Sequence, residues 1–141
     1  MRKSVKFFVV LLVIVSFAFL SGCNGYSQYP GAIREVKNSV SLIGSEWNAK
    51  GITIEESVND LIGVKDTIDW RAFKPAAGDY GKYVIVVEAS LTKKDKEGIT
   101  HYLTMQYLFN KKTGVVEQGY VGLDDESVGL LGILEFYVLD Y

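Results

Sequence analysis

Few side chains in this sequence could perform chemistry at an active site. The chain has one cysteine, Cys23, and one histidine, His101. A single histidine cannot supply a Ser-His-Asp triad, so we interpret His101 as a solvated residue at the start of a strand and not as a general base. One histidine and one cysteine also leave too few good ligands for zinc. The sequence therefore predicts no catalytic residue, no metal site and no cofactor.

Carboxylates and lysines are the remaining candidates for a binding site. The run Asp124-Asp125-Glu126 could ligate calcium, but it lacks the alternating oxygens and interior glycine of an EF-hand loop. We interpret it, with Ser127, as the cap of a C-terminal helix, where the helix dipole favours negative charge. Two lysine groups are interpreted as solvated hairpin tips, because a strand separates them by roughly 35 to 40 Å. These groups are Lys93, Lys94 and Lys96, and Lys111 and Lys112.

The first 23 residues carry the clearest functional signal. A basic start is followed by an uncharged, apolar run over residues 7–20, which is shorter than the roughly 20 residues needed to span a bilayer. The next residues, Leu20-Ser21-Gly22-Cys23, resemble the lipobox of bacterial lipoproteins. The resemblance implies that residues 1–22 are a signal peptide and that the Cys23 thiol receives a diacylglyceryl group. The alternative from the residues alone is an uncleaved N-terminal anchor.

The anchor predicts where the mature protein lies. We expect it to be held by lipid on a cell membrane, facing away from the cytoplasm, and on the outer membrane if the host has two membranes. Asn24 supports the latter, since an aspartate there would resemble an inner-membrane retention signal. Without Arg2, Lys3 and Lys6, twelve basic residues remain against seventeen acidic ones, a formal charge of −5. This balance argues against nucleic acid or anionic lipid as a partner and leaves an unknown envelope protein as the expected one.

The rest of the chain is long enough for one domain. Residues 23–31 are predicted to be the lipidated cysteine and a polar tether, and residues 32–141 a single α+β domain. Thr53 and Glu56 have the spacing of a capping box at the start of a second helix. The preceding helix is predicted from apolar residues at helical spacing, namely Ile33, Val36, Val40 and Ile43.

Four strands and a final helix complete the prediction. Alternation and turn residues place strands at about residues 66–74, 82–92, 99–110 and 115–123, joined by hairpins into an antiparallel meander. Trp70, Tyr107 and Phe109 are interpreted as core and not as an aromatic platform for a glycan or peptide. The C-terminal segment has helical spacing, although Gly129 and Gly132 leave a fifth strand open. The fold class is thus α+β, with two N-terminal helices packed on a four-stranded sheet.

Two families resemble this pattern. The Thr-Ile helix start at Thr53-Ile54, the Trp70-to-Phe73 strand and a C-terminal segment ending in tyrosine are similar to small exported bacterial domains of unknown function, over about residues 36–141. The chain departs from them at Glu55, where glycine is usual. A looser similarity runs to a small accessory lipoprotein of outer-membrane barrel assembly, although Leu61-Ile62-Gly63-Val64 lacks that family's Leu-Gly-x-Pro. The expected function is non-catalytic binding or scaffolding at the envelope, with an accessory role in outer-membrane protein assembly as the alternative.

Overall fold

The computed structural model describes residues 28–41, 51–63, 66–76 and 78–139. The predicted signal peptide, Cys23, most of the tether and the helical position Ile43 lie outside this range. Lipidation at Cys23 therefore stays a prediction. Over the described ranges, no helix is both long and apolar enough to cross a membrane.

The described residues form an α+β fold, as predicted. The sheet is antiparallel and has five strands in sequence order, one more than the predicted four. The added strand has two residues and follows a tight turn. The elements are α1 (Pro30–Asn38), α2 (Ile54–Asn59), β1 (Thr67–Phe73), β2 (Val84–Lys94), β3 (Thr100–Asn110), β4 (Val116–Leu123), β5 (Glu126–Ser127) and α3 (Leu131–Val138).

Local signals in the sequence set the starts of α1 and α2. Pro30 begins α1, where its fixed φ suits the first helical turn, so the helix begins within the predicted tether. Val40 was expected to extend this helix, but α1 ends at Asn38 and Val40 forms an isolated β-bridge with Thr53. The predicted capping box of α2 is confirmed. The Thr53 N–H donates to Glu56 Oε2 at 2.8 Å, and the Glu56 N–H donates to Thr53 Oγ1 at 3.2 Å.

One face of the sheet packs against the helices to form the core. Tyr107 is buried there and stacks on Trp70, with ring centroids 6.4 Å apart, and Phe109 packs against the same cluster. The interpretation of these three aromatic residues as core is confirmed. Alternate residues of β2 supply much of the remaining apolar surface, in the order Ile85, Val87, Ala89 and Leu91.

Lys93 continues this alternation into the core. Its side chain is buried, and Nζ donates to the carbonyl oxygens of Leu61 at 3.3 Å, Phe136 at 3.3 Å and Tyr137 at 3.4 Å. The prediction that Lys93 is solvated is therefore wrong, whereas Lys94 is exposed as expected. The carbonyls at a helix C-terminus lack partners within the helix, and a buried ammonium can satisfy them.

The interpretation of residues 124–127 as a helix cap is also wrong. Asp124 and Asp125 are the two-residue turn between β4 and β5, with φ of 49° and 69°, as a type I′ turn requires. The helix α3 begins later, at Leu131, which settles the open choice between helix and strand for this segment. Gly132 lies in its first turn against Val128, where a Cβ atom would collide.

Candidate functional site

The helices cover one face of the sheet, and the other face carries a polar region beside an apolar row of Phe73, Val86 and Leu108. α1 contacts β1, β2 and β3, while α3 contacts β3 and β4, and their apolar residues share one core. Because side chains alternate along a strand, the residues between these core positions project from the opposite face, which we call the outer face. The first three strands place there Asp69, Arg71, Glu88, Ser90, Thr104 and Gln106.

An open pocket with a volume of about 370 Å³ lies on the outer face. Those six residues line it together with Tyr120, Gly122 and Asp125. Its volume is within the range of small-molecule pockets, but its lining is polar, whereas such pockets are usually apolar. Three carboxylates and one guanidinium give the lining a formal charge of −2. The pocket therefore suits a hydrated ligand that can donate hydrogen bonds.

Glu88 is the centre of this pocket. The strand register places it between Arg71 and Gln106, and only 2% of its surface is exposed. Arg71 Nε donates to Glu88 Oε1 at 2.7 Å, and Gln106 Nε2 donates to Oε2 at 2.8 Å. Ser90 Oγ adds a third hydrogen bond, to Oε1, at 3.2 Å. Both carboxylate oxygens are thus satisfied inside the sheet face.

This pairing explains how a carboxylate can be held out of water. A buried carboxylate is costly unless a cation and hydrogen bonds compensate it, and Arg71 supplies both. The Arg71 side chain is 62% exposed, so its guanidinium lies between the buried Glu88 and solvent. The Phe73 ring lies 5.5 Å from the guanidinium carbon of Arg71, on the same face of β1. The row is a fixed set of polar groups before any ligand arrives.

A β-bulge in β4 completes the pocket. Met105 pairs with Val121 and Tyr107 with Gln118, so two residues of β4 lie opposite Gln106 alone. The extra residue lets Tyr120 project from the outer face while Val121 remains in the core. The bulge also leaves the Gln106 carbonyl outside the regular ladder, and Gln118 Nε2 donates to it at 2.9 Å.

Glycines permit this close packing around the bulge. A Cβ at position 119 would lie 3.1 Å from the Gln106 carbonyl oxygen. At position 122 a Cβ would collide with the ring of Tyr120, which lies across the glycine and forms one wall of the pocket. Glycine in a strand interior is the sequence signal for such a bulge.

His101 lies on the other side of the sheet, on the face shared by Leu103. Its Nδ1 is 2.7 Å from Asp124 Oδ2 and its Nε2 is 3.0 Å from Asp95 Oδ2. The hydrogen bonds in which the imidazole donates to Asp124, the larger cause, and to Asp95 raise the pKa of His101. Its side chain is only 19% exposed, so the prediction of a solvated histidine is wrong.

The two aspartates belong to different turns, so the imidazole joins the β2–β3 hairpin to the β4–β5 turn. The hydrogen bond from His101 lowers the pKa of Asp95. Burial alone would raise the pKa of Asp124, but its hydrogen bonds to His101 and to the Tyr102 N–H leave it lowered. The arrangement is an ion-pair clasp whose three residues do not line the pocket, although Asp124 directly precedes the lining residue Asp125.

Neither motif nor composition pointed to the pocket. Apart from Asp125, none of its lining residues was a candidate in the sequence. In the described part of the chain, no group of three or more His, Cys, Asp or Glu residues is arranged to hold a metal ion. No protein-family model, no curated protein and no solved structure matches the chain. Function is therefore inferred from the geometry of the pocket.

Proposed function

We propose that this protein is a lipid-anchored, non-catalytic binding domain of the bacterial cell envelope. The observation that carries the proposal is the preorganised row of Arg71, Glu88 and Gln106 in an open pocket on the outer face. Polar groups that are already hydrogen-bonded cost little reorganisation when a ligand binds. A buried ion pair on a face left open by the helices serves recognition better than it serves stability.

The charges of the pocket favour a ligand that is hydroxyl-rich and neutral or positively charged. Asp69 and Asp125 lie at its exposed rim, and Glu88 lies at its floor. Carboxylates accept hydrogen bonds from hydroxyl and ammonium groups and repel other carboxylates. Tyr120 offers an aromatic face beside them, as is common where one side of a ligand is apolar.

The residues of the pocket supply little for catalysis. Ser90 is the pocket's serine nucleophile candidate, but its hydroxyl donates to a carboxylate that Arg71 already neutralises. An activated serine needs a base that can take up its proton, and His101 lies on the opposite side of the sheet. This supports the non-catalytic reading.

A titration with three hexoses of different charge would test the pocket. We expect glucosamine to bind more tightly than glucose, and glucose more tightly than glucuronate, with NMR shifts at Tyr120 and Gly122 of the mature protein in detergent micelles. The variant Asp69→Asn with Asp125→Asn should reduce the preference for glucosamine by about 2- to 5-fold for each charge removed. Asp79→Asn with Glu97→Gln makes the same charge change outside the pocket and should leave the preference intact. Equal binding of glucuronate, or no shift at the pocket with any hexose, would contradict the proposal.

The anchor is tested separately by intact mass. The membrane-extracted protein should begin at Cys23 and carry a diacylglyceryl group, and Cys23→Ala should remain unprocessed. A wild-type mass that retains Met1 and lacks lipid would identify an uncleaved N-terminal anchor.

One observation favours the alternative role in outer-membrane protein assembly. Among the described residues, β1 is an edge strand of the sheet and pairs only with β2, and strand addition by a partner occurs at strands of this kind. This role predicts that the protein purifies with a barrel-assembly complex in mild detergent. Purification without such a partner from a two-membrane host would contradict it.

A further inference from the structure

The predicted tether joins the domain at one end of the sheet. Tyr29 directly precedes α1, and its ring lies 6.0 Å from Lys111 Nζ, while the Lys111 N–H donates to the Tyr83 carbonyl at 3.0 Å. The start of α1, the loop before β2 and the β3–β4 hairpin therefore meet there. We call residues 74–83 and 110–117 the tether end. The opposite end of the same strands, residues 93–101 and 123–127, is the far end.

The two ends differ in charge although the mature chain is acidic overall. The tether end has four lysines against two carboxylates, and each of these lysines is exposed. They are Lys74, Lys82, Lys111 and Lys112, with Asp79 and Glu117 as the carboxylates. The far end has five carboxylates against three lysines, and one of those lysines, Lys93, is buried. The net charge of −5 is thus unevenly distributed, and the end of the domain beside the tether is basic.

Aromatic rings accompany the lysines at the tether end. The Tyr83 ring lies 5.6 Å from Lys82 Nζ and 5.6 Å from Lys112 Nζ, and Tyr83 is 43% exposed. Tyr80, in the same loop, is 47% exposed. Tyrosine and lysine side chains, each with an apolar body and a polar tip, are the residues that favour a membrane–water interface.

Chain length brings this end close to the bilayer. Tyr29 is the sixth residue after Cys23, and a fully extended chain of that length spans at most about 20 Å. The strands place the far end roughly 30 Å beyond the tether end, because β2 rises about 3.3 Å per residue. Lipid attached at Cys23 would therefore confine the basic end, and not the acidic end, to the headgroup region.

We propose that the tether end is a contact surface for anionic phospholipid headgroups. Lys82, Lys111 and Lys112 bind the phosphates, and Tyr83 lies among the headgroups. This contact directs the far end, and with it the rim residue Asp125, away from the membrane. The inference rests on the proposed anchor at Cys23. It also replaces the expectation, drawn from net charge alone, that anionic lipid is not a partner of this protein.

Amine acetylation of the lipidated protein in vesicles would test this surface. In phosphatidylglycerol vesicles, we expect Lys82, Lys111 and Lys112 to react roughly fivefold more slowly than Lys94 and Lys96. This factor corresponds to the attraction of about 1 kcal/mol between one lysine and an anionic membrane surface. The difference should shrink in phosphatidylcholine vesicles and in 0.5 M salt, which screens charges beyond a few ångströms.

A matched pair of variants separates the two ends. Lys111→Glu with Lys112→Glu should abolish the protection of Lys82, measured as the ratio of its rates in phosphatidylcholine and phosphatidylglycerol vesicles. Lys94→Glu with Lys96→Glu makes the same charge change and should preserve that ratio. Equal rates at both ends in a protein of lipidated mass would overturn the contact surface and leave the anchor standing. Selective protection in a protein of unlipidated mass would support the surface and reject the anchor. No protection and no lipid would overturn both.

Discussion

Replacing Lys93 with methionine should destabilise the domain by about 2 kcal/mol, because it removes an ammonium that bridges two helix ends. Lys93 Nζ donates to one carbonyl after α2 and to two near the end of α3, at 3.3 to 3.4 Å. A hydrogen bond to a charged group contributes about 1.5 to 3 kcal/mol, but these bonds are long and burial of the ammonium costs desolvation, so we take roughly 0.7 kcal/mol for each. Methionine fills the same volume, so no cavity adds to the loss.

Urea unfolding of the wild type and Lys93→Met measures this loss directly. For a domain of this size, about 2 kcal/mol corresponds to a fall in Tm of roughly 8 °C. Lys94→Met is the matched control, because Lys94 is exposed next to it and surface substitutions stay within about 0.5 kcal/mol. Buried charges are sometimes replaced by apolar residues without loss. A Lys93→Met protein as stable as the wild type would refute a net stabilisation of about 2 kcal/mol by this ammonium.

Three further changes test other parts of the fold. The hydrogen bonds that raise the pKa of His101 stabilise the fold fully below its ordinary pKa near 6.5, and this contribution is lost as pH rises through the higher folded value. The difference in unfolding free energy between wild type and His101→Gln should accordingly shrink as the pH rises above about 6.5, and a constant difference would count against the clasp. Gly132→Ala should destabilise the protein in thermal unfolding despite alanine's roughly 1 kcal/mol better helix propensity, because its Cβ collides with Val128. Thr53→Ala should cost about 1 kcal/mol in urea unfolding through loss of the capping box, while Thr53→Ser should cost less.

Much of the fold could be predicted because it depends on local patterns. Alternation at period two identified β1 to β4, and the spacing of Thr53 and Glu56 identified the start of α2. The same alternation could have placed Lys93 in the core, since it follows Ile85, Val87, Ala89 and Leu91 at every second residue. Its charge suggested solvent instead. Only tertiary contacts, the carbonyls of two distant helix ends, make the buried position possible.

The pocket could not be predicted because it depends on pairing between strands. Arg71, Glu88 and Gln106 are 17 and 18 residues apart in sequence and become neighbours only through the register of three strands. The prediction of a helix cap at Asp124 and Asp125 was wrong for a related reason. Acidic residues before an apolar run fit a helix N-terminus and a tight hairpin equally well, and the hydrogen bond from the Tyr102 N–H to Asp124 favours the hairpin.

The β-bulge opposite Gln106 shifts the alternation of inward and outward side chains in β4 by one residue. Val116 and Val121 are five residues apart and would face opposite sides of an unbroken strand, yet both contact the core. This slip of one residue places Tyr120 and Gly122 in the pocket wall, so these two residues supply no side chain to the core surface of β4. Substitutions at Tyr120 can thus change which ligand fits without altering Val116 or Val121, whereas Gly122 is constrained because a Cβ there would collide with the Tyr120 ring. Descendants of this domain could diversify in what they bind at little cost to folding, provided that the slip is kept.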